Sequence, residues 1–314
     1  MKISEFFEKA NSKDIVINTD IDGFLCGMIL QKYYGCRIVG FSNSKESIWL
    51  IPEMDSIYKP VYIDIFVNNP GVFCIDQHIV AYDDAYLKTI LSWGTKMNPN
   101  LDILKKTYIG DYYHKFPFGT VHYLIALMKQ DGIDVVFNDL TTTYAVQGCD
   151  WREYNICPGQ IILRADDALY SSLGPYKANA ANWWKQLKSF HSKTIDLLYK
   201  YLSETCKEEK NTIYKREIGD FFVNGLGCDG RDGAFNRITQ LNDTTLQSRV
   251  LNYNKVIGEI VGMEMDLPRE VKEYRGTAQL SAWSKEKQNS AVTYAFVCSP
   301  SKPLSSFSYT TNIR

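Results

Sequence analysis

DIVINTDIDGFLCGMIL, residues 14–30, decides the architecture. Its β-branched run Ile15-Val16-Ile17 reads as a buried strand that stops at Asn18-Thr19. Two acids one residue apart, Asp20 and Asp22, then precede Gly23, and Leu25, Met28 and Ile29 recur at helical spacing within Phe24 to Tyr34. The next apolar run, CRIVGFSN (36–43), is a second strand, so the chain opens as a βαβ unit. PVYIDI (60–65) and GVFCID (71–76) are apolar without alternation, which predicts strands covered on both faces of a mainly parallel sheet. The expected class is α/β.

Further along, FPFGTVHYLIALMKQ (116–130) carries Val121, Leu124, Ile125 and Met128 at helical spacing behind a Gly119-Thr120 opening. IILRADDALYSSL (161–173) reads as a strand-like run that delivers the paired acids Asp166 and Asp167. From 178 to 203, Trp184, Leu187, His191, Ile195, Leu198 and Leu202 predict one long amphipathic helix, a connector. Beyond the charged CKEEKN (206–211), the pieces TIYKREI, FFVNGL, KVIGEIVGMEM and AVTYAFVCS read as strands of a smaller, largely antiparallel unit. The expected division is therefore 1–177, the connector 178–203, and a substrate-binding domain 204–314.

With 35 basic and 36 acidic residues among 314, the chain offers no global attraction for long nucleic acid or an anionic membrane. An anionic partner has to be held locally. No apolar run reaches membrane-spanning length and MKISEFFEKANSK lacks a secretory pattern, so a cytoplasmic protein is expected. The eight cysteines form no C-x-x-C pair and read as reduced thiols. Only four histidines are present, which leaves carboxylates as the main hard metal ligands.

Asp20 and Asp22 end the first strand, Asp64 ends the YIDI run, and Asp76 and His78 end the FCIDQH run. At the carboxyl edge of a parallel sheet these groups border one crevice. An Asp before Gly at a strand end is also an ordinary turn or helix cap, so each acid alone is ambiguous. Together the acids repel unless protons or cations compensate them, and carboxylates with an imidazole suit Mn²⁺ or Mg²⁺.

This ordered set resembles the DHH phosphoesterase superfamily, which includes exonucleases of the RecJ type and oligoribonucleases that degrade very short RNAs. Asp20-Ile21-Asp22-Gly23 matches its first motif, Asp64 its second, and Asp76-Gln77-His78 its Asp-His-His. The resemblance covers roughly the first 170 to 180 residues. It implies one or two Mn²⁺ (or Mg²⁺) ions held by Asp20, Asp22, Asp64, Asp166 and Gln77, with Asp76 orienting the site and His78 beside the phosphate. For the fourth motif, Asp167 competes with Asp166, and Asp150 follows. Two positions depart from the pattern: Val16 replaces a frequent histidine, and the amide of Gln77 replaces an imidazole ligand.

His114-Lys115, ahead of the FGT helix, and Arg231 in GLGCDGRDG are candidate phosphate contacts, although loop composition explains both. The basic and aromatic residues after Pro268 could pair phosphates and stack bases, yet alternating aromatics are more commonly core. The resulting expectation is a metal-dependent phosphodiesterase acting on short oligonucleotides or dinucleotides. The rivals are a small-molecule phosphatase or pyrophosphatase and a nucleotide-binding protein of reduced activity.

Overall fold

The computed structural model describes residues 1–112, 115–116, 118–165, 216–228, 235, 237–299 and 302–314. The first helix, α1 (Ile3–Ala10), leads to β1 (Asp14–Asn18), whose Ile15, Val16 and Ile17 are wholly buried. Helix α2 (Ile21–Tyr34) follows and is buried on every face from Ile21 to Leu30, as a helix laid between other layers must be. Gly23 permits its close approach to β1, because a Cβ there would lie 2.3 Å from the Asn18 carbonyl oxygen.

A seven-stranded sheet forms the centre, in the order β6-β5-β4-β1-β2-β3-β9. Strands β1, β2 (Arg37–Ser42), β4 (Val61–Ile63), β5 (Cys74–Ile75) and β6 (Lys96–Met97) run parallel. β3 (Ser47–Leu50) pairs antiparallel with β2, and β9 (Lys272–Arg275) antiparallel with β3. The chain moves from β1 to β2 on one side, then returns to place β4 on the other. The carboxyl ends of β1 and β4 therefore flank a topological switch point, where α/β sheets bind ligands.

Between β5 and β6 lies α3 (Asp84–Trp93); after β6 come the short α4 (Pro99–Asp102) and α5 (Tyr108–Asp111), then α6 (Thr120–Gln130). The hairpin β7 (Tyr144–Gln147) and β8 (Glu153–Ile156) precedes α7 (Pro158–Arg164). The run expected to be a strand before Asp166 is thus a helix, with Pro158 at its first turn and the Gln160 side-chain Oε1 accepting from Cys157 N–H. Likewise, FFVNGL forms a π-helical turn (Phe221–Gly225), and KVIGEIV belongs to α8 (Ser248–Val261). In α8 the buried Val250, Tyr253, Ile257 and Ile260 recur at three and four residues, and Gly262 closes it at φ +80°. Helical period prevailed there over the β-branched composition.

After β9, the strands β10 (Thr277–Ala282), β11 (Thr293–Ser299) and β12 (Lys302–Thr311) form a separate antiparallel sheet, with β12 central and a short helix, α9 (Lys285–Ser290), between β10 and β11. The fold is mixed α/β, with a mostly parallel central sheet and this antiparallel sheet near the C-terminus. The connector expected at 178–203 lies outside the described residues. Ile218, Phe221, Phe222, Tyr253 and Val271 join the core of the central sheet, so segments on both sides of residue 204 share it. A second core packs Phe66, Ile79 and Val80 against Tyr294, Phe296, Phe307 and Tyr309. These strand aromatics are core residues and present no stacking platform.

Candidate metal centre

Asp64 follows directly on β4 with φ +61°, a left-handed conformation rare for a residue bearing a side chain. Its backbone is held by N–H donation to Ile75 O at 2.8 Å, and its carboxylate is 1% exposed. Oδ1 accepts the Thr120 hydroxyl at 2.6 Å and Oδ2 the Asn18 amide at 2.9 Å. Burial raises this carboxyl above its usual range; charged His78 and the two donors pull against the rise, while Asp76 adds to it.

One strand along, Asp76 leaves β5 with its N–H bound to Met97 O at 3.0 Å and its side chain 1% exposed. Asp76 Oδ1 lies 2.6 Å from His78 Nδ1, and Oδ2 accepts from the Asn98 amide at 3.3 Å. Burial alone would depress the His78 imidazole. The Asp76 charge and hydrogen bond, with Asp64, outweigh burial and the opposing Lys115 charge, pushing the ring up to about 10. Asp64, Asp76 and His78 each offer one ligand atom, all within 4.8 Å of one another. Two carboxylates and an imidazole suit a hard or borderline divalent cation.

The turn between these groups is clamped by two asparagines that sequence reading passed over. The Asn98 amide also donates to His78 O at 2.8 Å, and that of Asn100 to Gln77 O at 2.6 Å. Asn98 Oδ1 meanwhile caps α4 through Asn100 N–H at 2.8 Å, so one short helix start fixes the whole Asp-Gln-His turn. Gln77 itself is 4% exposed, and its Oε1 has no hydrogen-bond partner among the described residues. A buried acceptor of this kind is costly unless a donor or cation reaches it. The signal in sequence was Asn-Pro-Asn at 98–100, a turn and cap pattern.

The acid pair is placed differently. Asp20 is the N-cap of α2, accepting Gly23 N–H at 3.0 Å on one oxygen and the Asn18 amide at 2.8 Å on the other. Asp22, 2% exposed, reaches across to α6, where Oδ2 accepts Thr120 N–H at 2.7 Å and Oδ1 Val121 N–H at 2.8 Å. Gly119 makes that contact possible, since a Cβ there would fall 2.8 Å from the Asp22 carboxylate. Both acids stand where helix N-termini stabilise negative charge. Asn18 and Thr120 were missed because an amide and a hydroxyl carry no chemical signature until the fold sets acids beside them.

Lys115 is buried near enough to His78 to lower its basicity, with its ammonium 5.3 Å from the centre of the Tyr112 ring. Asp150 sits on the β7–β8 hairpin, paired with Arg152 at 2.5 Å and Tyr154 at 2.8 Å. Asp166, Asp167, His114 and Arg231 lie outside the described residues. A cavity of about 50 Å³ opens on Asp64 and His78, its far wall built by Thr293, Ser308 and Thr310 of the C-terminal sheet. Among the described residues no helix is long and apolar enough to cross a membrane. Compared with known proteins, the chain matches no family model, and no curated protein and no solved structure matches it.

Proposed function

We propose that this chain is a metal-dependent phosphoesterase that hydrolyses the phosphodiester bonds of short oligonucleotides or dinucleotides to nucleoside monophosphates. The observation that carries this reading is the Asp64-Asp76-His78 group, gathered beside the switch point of a parallel sheet with a cavity at its mouth. The donor set fits one divalent ion, Mn²⁺ before Mg²⁺ because of the imidazole. Such an ion supplies Lewis acidity, polarising a phosphoryl oxygen and making water more acidic.

The chain's own groups divide the remaining work. Asp76 fixes the ring of His78, and Asn98 fixes both, so these ligands need little reorganisation. Lys115 brings a buried positive charge to the side of His78, where a non-bridging phosphoryl oxygen would be stabilised. Ser44, Thr293 and Ser308 line the cavity with hydroxyl-bearing side chains, which can orient a phosphoryl group and displace its water. The near-neutral net charge favours a short substrate over a long strand.

Purified protein with Mn²⁺ and a panel of RNA and DNA dinucleotides and linear and cyclic dinucleotide messengers tests the reading, with Asp64→Ala and chelator as controls. Release of nucleoside monophosphates by wild type alone, abolished by chelator, is expected. The cavity volume favours one second reading. At about 50 Å³ it has room for a phosphoryl group, whereas sites that enclose drug-sized ligands run to about 300–1,000 Å³. Release of free phosphate from pyrophosphate or a phosphorylated nucleoside, with no monophosphate from dinucleotides, would identify a small-molecule phosphatase. Equal silence from wild type and Asp64→Ala, with nucleotide binding retained, would identify a binding protein.

A further inference from the structure

The DHH resemblance allows one or two ions, and among the described residues Asp20 and Asp22 are met by the protein's own donors. Resting on the metal-dependent reading above, we propose that the centre is mononuclear: Asp64, Asp76 and His78 hold one ion, and Asn18 and the first turn of α6 occupy the places of a second. Three observations lead there. First, Asn18 Nδ2 stands between Asp20 Oδ2 and Asp64 Oδ2, at 2.8 and 2.9 Å, the position from which a cation could neutralise both. The amide orientation is fixed independently, because Asn18 Oδ1 accepts Thr19 N–H at 2.9 Å.

Second, Thr120 does the same between Asp22 and Asp64. Its N–H goes to Asp22 Oδ2 at 2.7 Å and its hydroxyl to Asp64 Oδ1 at 2.6 Å. Moving Asp22 toward an ion would strand the buried N–H groups of Thr120 and Val121, which have Asp22 as their acceptor at the start of α6. Third, the group that can share an ion contains neither Asp20 nor Asp22 among the described residues. The positions that depart from the family pattern agree, since Val16 offers no donor atom and the amide of Gln77 is a weaker ligand than imidazole.

The test is the number of Mn²⁺ ions bound, read without reference to activity. Metal-free wild-type protein is titrated with Mn²⁺ by calorimetry, and the saturated sample is examined by electron paramagnetic resonance. One equivalent with a sharp, uncoupled hyperfine spectrum is expected, lost in Asp64→Asn. Two equivalents with an exchange-coupled spectrum overturn the mononuclear centre while leaving the metal-dependent reading intact. No bound ion overturns both. Asp22→Asn that folds, judged by near-ultraviolet circular dichroism, should still bind one equivalent; loss of binding in that folded variant would make Asp22 a ligand and overturn the proposal. Should Asp22→Asn fail to fold, the wild-type stoichiometry decides alone.

Discussion

Replacing Asp22 by alanine separates two accounts of the same carboxylate in ion-free protein. A carboxylate waiting for a cation sits among like charges, so its removal relieves repulsion and stabilises the ion-free fold. A carboxylate serving as a cap does the opposite. Asp22 is 2% exposed and accepts two backbone N–H groups of α6, at 2.7 and 2.8 Å. Each buried N–H left without an acceptor costs about 1–3 kcal/mol. Relief of repulsion among Asp22, Asp20 and Asp64 returns part of this, leaving a net loss of about 2–4 kcal/mol. In urea, with a slope of about 3 kcal/mol/M, the midpoint should fall by roughly 1 M in chelator-treated protein. Asp22→Asn keeps one acceptor oxygen and should lose about half as much. A midpoint unchanged or raised in Asp22→Ala would refute the capping role, and with it the physical basis for the single-ion centre.

Asn98→Ala leaves the three candidate ligand side chains in place but frees the Asp76-His78 turn; Mn²⁺ affinity by calorimetry should fall about 10–100-fold with little change in far-ultraviolet circular dichroism. Ion-free protein should show a pH dependence owed to His78. Its folded value of about 10 exceeds the usual 6.5, so its contribution is complete below about pH 6.5 and is lost as pH rises through about 10. Urea midpoints at pH 6, 8 and 10 should decline in wild type and decline less in His78→Gln; parallel slopes would remove His78 from the account. Gly23→Ala puts a Cβ 2.3 Å from the Asn18 carbonyl oxygen and should destabilise by about 1–3 kcal/mol in a urea titration, whereas the half-buried, helical Gly219, with open space at its Cβ position, should show no loss on the same change.

Where the chain was apolar without interruption, the sequence was readable. Ile15-Val16-Ile17, Arg37–Ser42 and Val61–Ile63 became parallel strands because nothing but burial on two faces accounts for such runs. Lys255 to Val261 was not readable as a helix, since its β-branched residues satisfy a strand as well, and the choice fell to packing of Tyr253, Ile257 and Ile260 on the core. The β9 edge was equally hidden: Lys272–Arg275 has no apolar run, and its pairing with Ser47–Leu50 is a long-range contact. At the centre, Asp64, Asp76 and His78 could be listed from sequence because strand ends in a parallel sheet converge. Asn18, Thr120, Asn98 and Asn100 could not, because their roles depend on which carboxylate or carbonyl the fold sets opposite them.

That difference also answers why two carboxylates stand at the hinge between β1 and α2. Buried negative charge has to be met, and a cation is only one way to meet it; the amides of a helix N-terminus carry a fixed partial positive charge of their own. At this hinge two such ends are available, that of α2 for Asp20 and that of α6 for Asp22, with Asn18 and Thr120 supplying protons toward Asp64. The ends of β4 and β5 face no helix N-terminus of this kind: Asp76 has His78 and one amide hydrogen bond, Asp64 takes the Asn18 amide and the Thr120 hydroxyl, and Gln77 Oε1 finds no partner among the described residues. An acid pair at a strand–helix hinge therefore argues for metal only when the donors beside it are too few. By that criterion the demand for a cation falls on the β4–β5 side of the switch point, and the acid pair serves to hold α2 and α6 in place around it.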